Sequence, residues 1–400
     1  MDRGTFDLLC HQIDAAIGAR VFKSEMFQNN GGMKSEKTFT AQQHTGGFIP
    51  GETKLVVTIR LLAGGSCLDL IPLFGLAKST VCAVFDEVIG WIIKTLKFPL
   101  VSVLRDEKWE LLHELAQQFA EKSGGHFYGT FGSLDGLAVR ITSPRLKDIP
   151  DPGNFCCRKG FCALNVQAIC DKNKRFLWVS PMNKGSSHDS SAFGNSRLID
   201  LLREKADKLR EQGLFLNGDS AHPICSFLQV PCDTQEVKDN PVGAKDAYNC
   251  CHSANRIWIE CAFGELIMRW GIFWGTLQFS SLKKNGNVMC AAMLLHNFIV
   301  ESRLSSSEDD QLFRAFSTGI ETAAQNNMTR LTGESPRALV TDNNEPRPLG
   351  RPTMTEKAMM EQGELLRNSI MLNLSARGDL RRPMERGMKC NKEGLMHMTC

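Results

Sequence analysis

The sequence predicts an α/β protein in which a mixed sheet is flanked by helices and preceded by an all-α region. Between residues 126 and 302, three strand-like stretches are followed by a helix, a fourth strand and a final helix, an order typical of α/β folds. Ahead of them, apolar residues recur at helical spacing. We therefore predict four parts: an N-terminal helix and linker (1–50), a helical domain (51–125), an α/β domain (126–302) and a polar, largely disordered tail (303–400).

Composition limits the class of protein. A net charge of +3 over 400 residues is only mildly basic, so any surface that binds DNA has to be local. The 15 cysteines include no CxxC, which favours reduced thiols, and Cys250, Cys251 and His252 have poor spacing for a zinc site. The first twenty residues lack a signal-peptide core, and the apolar segment 288–300 contains His296 and Asn297, which favours a buried helix. We expect no membrane association.

The helical region has the pattern of a helix-turn-helix. A helix is predicted over residues 55–63, a second starts after the N-cap Ser66 and is closed by Gly75, and a third starts near Lys78. An exposed Lys-Ser-Thr entry makes Lys78 a candidate DNA contact. A plain three-helix bundle explains the pattern equally well, and Pro72 would distort the second helix.

The remaining elements follow from periodicity. Other helices are predicted at 4–27, 106–122 and 188–212, with a further helix-forming stretch in the tail at 354–374. Strands are predicted at 130–141, 160–171, 175–180 and 214–217. The first three strands can form an antiparallel meander. A βαβ crossover then places the fourth strand parallel to the first, with their carboxyl ends on the same side, where sites form.

Three acids lie in this α/β region. Asp135 interrupts the apolar stretch GSLDGLAVR, Asp219 follows an apolar run, and Glu260 lies in a predicted helix. An Asp-Gly pair is by itself more often a turn. Burying a carboxylate is nevertheless costly unless it is paired or bound to a metal. Two acids at strand ends and one on a helix are what an oxygen-ligand, two-metal site needs.

We predict that these acids hold two Mg²⁺ or Mn²⁺ ions. Asp135 would bridge both ions, Asp219 would hold one, and Glu260 the other. Two ions about 4 Å apart can activate a nucleophile and stabilise the leaving oxygen of an in-line displacement at phosphorus. His188 and Asp189 are predicted to cap the following helix and support the site. Candidate phosphate contacts, each taken singly more often a solvated charge, are Arg158, Lys159, Lys172, Lys174, Arg175 and Arg269.

Five blocks, in order, resemble the Harbinger (PIF-like) transposase family. They are GSLDG at 132–136, RKGFCALNVQAICD at 158–171, GSSHD at 185–189, NGDSAHP at 217–223 and the helix around Glu260, with further similarity at 55–81. The resemblance implies an RNase H-like catalytic fold behind a helix-turn-helix domain. It also implies an Asp-Asp-Glu triad at Asp135, Asp219 and Glu260, and metal-dependent DNA cleavage and strand transfer.

Partners and location also follow from the resemblance. It implies a Myb-like accessory protein that helps supply DNA recognition and nuclear entry, which fits a chain without a dense basic import signal. We expect a nuclear protein, cytoplasmic without its partner, that acts on DNA as a homo-oligomer.

The sequence also departs from the family pattern. His222 stands where Tyr is usual, Ile267 where Lys is usual, and Leu137 where a small polar residue is usual. None of these removes a carboxylate. Two alternatives stay open: a domesticated relative that binds DNA or protein without cleaving, and an RNase H-like nuclease that serves repair. The intact acids favour an enzyme over a non-cleaving protein.

Overall fold

The computed structural model describes residues 1–17, 49–122, 127–147, 149–233, 237, 243–304 and 354–377. The predicted linker, together with the end of the first predicted helix, lies outside these ranges from residue 18 to 48. Most of the predicted tail, at 305–353 and 378–400, lies outside them too.

Helices precede the sheet, as the periodicity predicts. They are α1 (Arg3–Ile17), α2 (Gly51–Leu62), α3 (Cys67–Phe74), α4 (Lys78–Thr95), α5 (Leu100–Arg105) and α6 (Trp109–Lys122). A capping box at Ser66 starts α3, and Gly75 ends it in the left-handed conformation (φ 63°), so both predicted caps are confirmed. The chain axis bends by 103° between α3 and the helical run from Lys78 to Arg105.

A mixed sheet follows, as predicted, and it has five strands where the sequence predicts four. Its strands are β1 (Thr130–Arg140), β2 (Ala163–Cys170), β3 (Phe176–Lys184), β4 (Phe215–Asn217) and β5 (Leu228–Gln229), in the order β3-β2-β1-β4-β5. The first three strands pair antiparallel, whereas β4 pairs parallel with both β1 and β5. The antiparallel meander and the parallel crossover are thus confirmed, while β5 has too few residues to give a pattern.

The single helix predicted over 188–212 is wrong. This stretch forms α7 (Asp189–Gly194), α8 (Arg197–Glu204) and α9 (Ala206–Glu211). The reason is local: Ser196 leaves the helical path, and its hydroxyl accepts from the Ile199 N–H to cap a new helix. Two long helices follow β5, α10 (Ala244–Arg269) and α11 (Leu282–Leu304).

Helices cover both faces of the sheet. On one face, α1 to α4 share a single hydrophobic core with β1, β2, α10 and α11, through residues such as Val84, Val166 and Ile259. The predicted helical domain therefore packs directly on the α/β domain. On the other face, α5, α6 and α8 pack on the sheet through residues such as Leu104 and Phe131. Strand β2 alternates between the faces, since Leu164, Val166 and Ala168 all join the first core.

The helix-forming stretch predicted in the tail at 354–374 is a helix, α12 (Met354–Ala376). Its residues Ile370, Met371 and Leu374 are buried in a third core with Phe127 and Tyr248. The helix-forming composition was visible in the sequence, but the docking site was not.

No single helix within the described ranges is long and apolar enough to cross a membrane. The bent pair formed by Cys67–Phe74 and the run from Lys78 to Arg105 meets that criterion by length and composition only.

Candidate active site

The register of two parallel strands brings Asp135 and Asp219 to one end of the sheet. Ser133 on β1 pairs with Asn217, the last residue of β4. Each acid lies two positions beyond this pair in its own chain segment, so both lie near the carboxyl end of β4 because the strands are parallel. Asp135 remains inside β1, so the Asp-Gly pair forms no turn here. Asp219 lies just after β4, where its carboxylate accepts the Ala221 N–H at 3.1 Å.

An arginine, Arg256, contacts both the third acid, Glu260, and the first, Asp135. On α10, Arg256 and Glu260 are four residues apart and therefore face the same way. One guanidinium nitrogen, Nη2 of Arg256, lies 2.6 Å from Glu260 Oε1 and 3.3 Å from Asp135 Oδ2. The two carboxylate oxygens are therefore separated by no more than the sum of these distances. Arg256 holds a strand acid and a helix acid at one point.

The environment of Asp135 disfavours a bare negative charge. Burial, with smaller contributions from the charges of Asp219 and Asp189, raises the pKa of this carboxyl to about 6. The guanidinium of Arg256 and the N–H of Gly136, which Asp135 accepts at 2.8 Å, act in the opposite direction. Mutual repulsion among carboxylates at a half-buried strand is a common feature of functional sites.

Asp189 approaches the same strand from the other face of the sheet. Its Oδ1 accepts from Asn165 Nδ2 at 2.9 Å and from Gln167 Nε2 at 2.7 Å. Gly136 is needed at the contact, because a side chain there would overlap both Asp189 and Gln167. Asp189 is therefore held against the sheet by two side-chain amides, and its predicted supporting role stays a prediction. His188 is the N-cap residue of α7, but its side chain makes no capping hydrogen bond and instead contacts Arg158.

His222, one of the departures noted in the sequence, is buried beside Asp219. Its Nε2 lies 3.5 Å from Asp219 Oδ1, and its ring packs edge-on against Phe193. Burial lowers the pKa of this imidazole, while the neighbouring carboxylate of Asp219 raises it. Within the described part of the chain, neither ring nitrogen makes a hydrogen bond.

Apart from the half-buried Lys172, the predicted DNA and phosphate contacts divide into two groups. Lys78, Arg158 and Lys159 have exposed side chains. Others are engaged inside the protein: Lys174 pairs with Glu265, and Arg175 is buried in a 2.6 Å ion pair with Asp171.

Arg269 belongs to the engaged group. It donates to His296 Nδ1 at 2.9 Å and joins α10 to α11. A guanidinium used in this way is poorly placed to bind phosphate.

Sequence reasoning gave no role to Arg256, Asn165 or Gln167. Arg256 had a usable signal, because a helical Arg four residues before a candidate ligand is placed to contact it. The amides also had one, since they are the polar positions that alternate with apolar residues along β2. The sequence did not indicate which acid these amides contact, because that depends on how α7 packs against β2.

The donor set suits a hard divalent cation. Asp135, Asp219 and Glu260 offer only oxygen, the ligand type that Mg²⁺ and Mn²⁺ prefer. Two of these carboxylates already converge on a positive charge. Among the described residues, no group of three or more His, Cys, Asp or Glu side chains is already placed to hold a metal. His252, once considered for zinc, instead contacts the Gln229 carbonyl at 3.2 Å.

Comparison with known families identifies this region. Residues 134–297 match the model of a family described as DDE superfamily endonuclease. Over this segment the chain is therefore similar to the DDE superfamily endonucleases. The match runs from β1, next to Asp135, to Asn297 in α11, and it is compatible with the Harbinger resemblance. The nuclease family implies DNA as the substrate and generally uses divalent metal ions. No curated protein and no solved structure matches the chain.

Proposed function

We propose that this protein is a Harbinger-type transposase, a nuclease that cuts DNA and transfers strands with two Mg²⁺ or Mn²⁺ ions held by Asp135, Asp219 and Glu260. The observation that carries the proposal is the convergence of Asp135 and Glu260 on one cationic group inside an endonuclease domain. The strand register that sends Asp219 to the same end of the sheet supports it. The sheet order is consistent with an RNase H-like catalytic domain at 126–302.

The residues around the acids orient them. The Gly136 N–H fixes one oxygen of Asp135, leaving the other directed toward α10. Asn165 and Gln167 hold Asp189 against the opposite face of β1, where its charge acts on Asp135 without competing as a ligand. His222 packs against Asp219, with Nε2 3.5 Å from Oδ1. Bound divalent ions would supply Lewis acidity and an activated nucleophile at phosphorus.

DNA binding is proposed for two exposed basic regions outside the acid cluster. Arg158 and Lys159 lie at the tip of a turn closed by the Gly160 N–H, which donates to the Cys157 carbonyl at 3.0 Å. Lys78 begins α4 next to the sharp bend after α3, a geometry compatible with a helix-turn-helix within 51–125. A Myb-like partner, action as a homo-oligomer on DNA and nuclear location are proposed from the sequence resemblance alone.

Nicking of DNA by the purified full chain tests the chemistry. We expect nicking with Mg²⁺ or Mn²⁺ that is abolished in Asp135→Asn, with DNA binding retained because only a negative charge facing phosphate is removed. Asp207→Asn is a matched control, since Asp207 is an exposed acid on α9 whose side chain is 80% accessible. Equal nicking by Asp135→Asn, or nicking with Zn²⁺ only, would contradict the proposed triad. Binding without any nicking would favour the domesticated, non-cleaving alternative.

The helix-turn-helix proposal has its own test. Lys78→Glu should weaken DNA binding and flatten its salt dependence by about one unit of the log–log slope, because each phosphate contact releases counterions. Lys357→Glu, an exposed lysine on α12, serves as the control. An unchanged slope in Lys78→Glu would favour a plain helical bundle.

A further inference from the structure

Arg256 occupies the position between two of the proposed metal ligands. Its Nη2 contacts Asp135 and Glu260 at once, at 3.3 and 2.6 Å. We propose that Arg256 is a built-in counter-cation: it holds the acids together without metal and must withdraw before divalent ions bind. This inference rests on the proposed metal-dependent function and assigns Arg256 a positioning role in it.

The first argument is electrostatic. Asp135 lies near the charges of Asp219 and Asp189, and burial adds to the cost of its ionised form. A permanently charged guanidinium offsets this repulsion, since Arg stays protonated throughout the accessible pH range. Without a cation, the carboxylates at this end of the sheet would tend to separate.

The second argument concerns the oxygens themselves. Arg256 uses Asp135 Oδ2, the oxygen that is not held by the Gly136 N–H. That oxygen is the one left available to a metal, so the guanidinium and an ion compete for it. The competition lowers apparent metal affinity by the free energy needed to move the arginine.

The third argument is that the arginine is weakly held. Contacts to the two acids use only Nη2, and Nε is buried without a hydrogen-bond partner among the described residues. Glu260 has a side chain that is 56% exposed, so it can rotate with little loss of packing. A bidentate, fully buried pair would resist displacement more strongly than this single-nitrogen contact.

Mn²⁺ binding without DNA tests the inference directly. We would titrate the full-length protein with Mn²⁺ and measure free Mn²⁺ by its electron paramagnetic resonance signal. Arg256→Gln should bind Mn²⁺ more tightly than wild type, on the order of tenfold, as expected when a coupled competing equilibrium is removed. Its metal-free thermal midpoint should be lower than that of wild type, and Mn²⁺ should raise it by more.

Two further variants complete the design. Arg210→Gln removes an exposed Arg–Asp contact of 3.3 Å on α9 and should leave Mn²⁺ affinity unchanged. Arg256→Lys keeps the charge without the planar fork, and we expect its Mn²⁺ affinity to lie between wild type and Arg256→Gln. It also provides a test if Arg256→Gln does not fold.

The outcomes separate the two proposals. Unchanged or weaker Mn²⁺ binding by Arg256→Gln would overturn the counter-cation role while leaving the metal site intact. If only Arg256→Lys folds, Mn²⁺ affinity equal to or below that of wild type would overturn it. Absence of Mn²⁺ binding by wild type and variants alike would instead overturn the metal site on which the inference rests.

Discussion

Two polar clusters involve the neighbouring long helices α10 and α11, and they differ in how well their hydrogen-bonding groups are satisfied. On α11, the Asn297 side chain accepts the Phe176 N–H at 2.7 Å and donates to the Phe176 carbonyl at 2.8 Å. His296 takes a hydrogen bond from Arg269 at Nδ1 and contacts the Lys174 carbonyl through Nε2 at 2.9 Å. We call these residues the α11 cluster. It fastens α11 and the end of α10 to the start of β3.

The acid cluster of Asp135, Asp219, Glu260, Arg256 and His222 contrasts with it. Its carboxylates repel one another, and one arginine nitrogen serves two of them. The His222 ring nitrogens and Arg256 Nε make no hydrogen bond within the described residues. Buried polar groups are normally satisfied, and exceptions concentrate where a ligand completes the site. The comparison indicates that the α11 cluster stabilises the fold and that the acid cluster is arranged for function.

One substitution in each cluster should have opposite effects on stability and on nicking, and this is the largest expected difference between the clusters. Asn297→Ala should lower the free energy of unfolding by about 2–4 kcal/mol, because the N–H and the carbonyl of Phe176 lose their side-chain hydrogen bonds. Nicking per folded molecule should not change. Asp135→Asn should do the opposite and reduce nicking on the order of 10³-fold, as loss of a key electrostatic group does, at equal or higher stability. Urea unfolding and nicking rates measure both.

Asn373→Ala on α12 is the control, since Asn373 is exposed. The comparison fails if Asn297→Ala is as stable as wild type, or if it loses nicking while remaining folded.

Lowering the pH should reduce the folding stability through the α11 cluster, and this effect is smaller. Burial, and then the charge of Arg269, lowers the pKa of His296 from its ordinary value of 6.5 to about 4. Lys174 also lowers it, whereas Glu265 and the hydrogen bond to the Lys174 carbonyl raise it. Above pH 6.5 the imidazole is neutral in both the folded and the unfolded protein, so it contributes nothing to the pH dependence of stability. As the pH falls, the unfolded chain gains a proton that the folded protein resists, so stability decreases.

Unfolding measured between pH 6.5 and 4 tests this. The loss attributable to His296 should reach on the order of 3 kcal/mol at pH 4. His296→Gln should remove that part of the slope even if it lowers stability at every pH. An identical pH profile in wild type and His296→Gln would show that the imidazole is not held neutral.

The smallest expected effect separates two arginines that the sequence treats alike. Arg158→Gln should reduce the log–log salt slope of DNA affinity by about one unit, since one phosphate contact is lost. Arg269→Gln should leave that slope unchanged and lower the free energy of unfolding, because it deprives His296 of a donor. Fluorescence anisotropy at several salt concentrations measures the slopes. A reduced slope in Arg269→Gln would place this residue on the DNA-binding surface.

Much of the fold could be predicted because its signals are local. Ser66 and Gly75 bound α3 through contacts within a few residues. The alternation along β1 to β3 and the spacing before β4 were sufficient for the antiparallel and parallel pairings. The division of 188–212 into three helices was missed because periodic apolar residues continue across Ser196, whose cap competes with helix continuation.

The sequence by itself determined four of the five strands, most helix boundaries and the order of the three candidate acids, since each depends on neighbours in the chain. Only the tertiary structure decided what those acids contact. Arg256 is 121 positions from Asp135, and Asn297 is 121 positions from Phe176, so neither contact leaves a local signal. Both arise where α10 and α11 pack against the sheet. The physical reason is that burial and charge are properties of the packed surfaces, which determine whether a polar residue is satisfied or left available for a ligand.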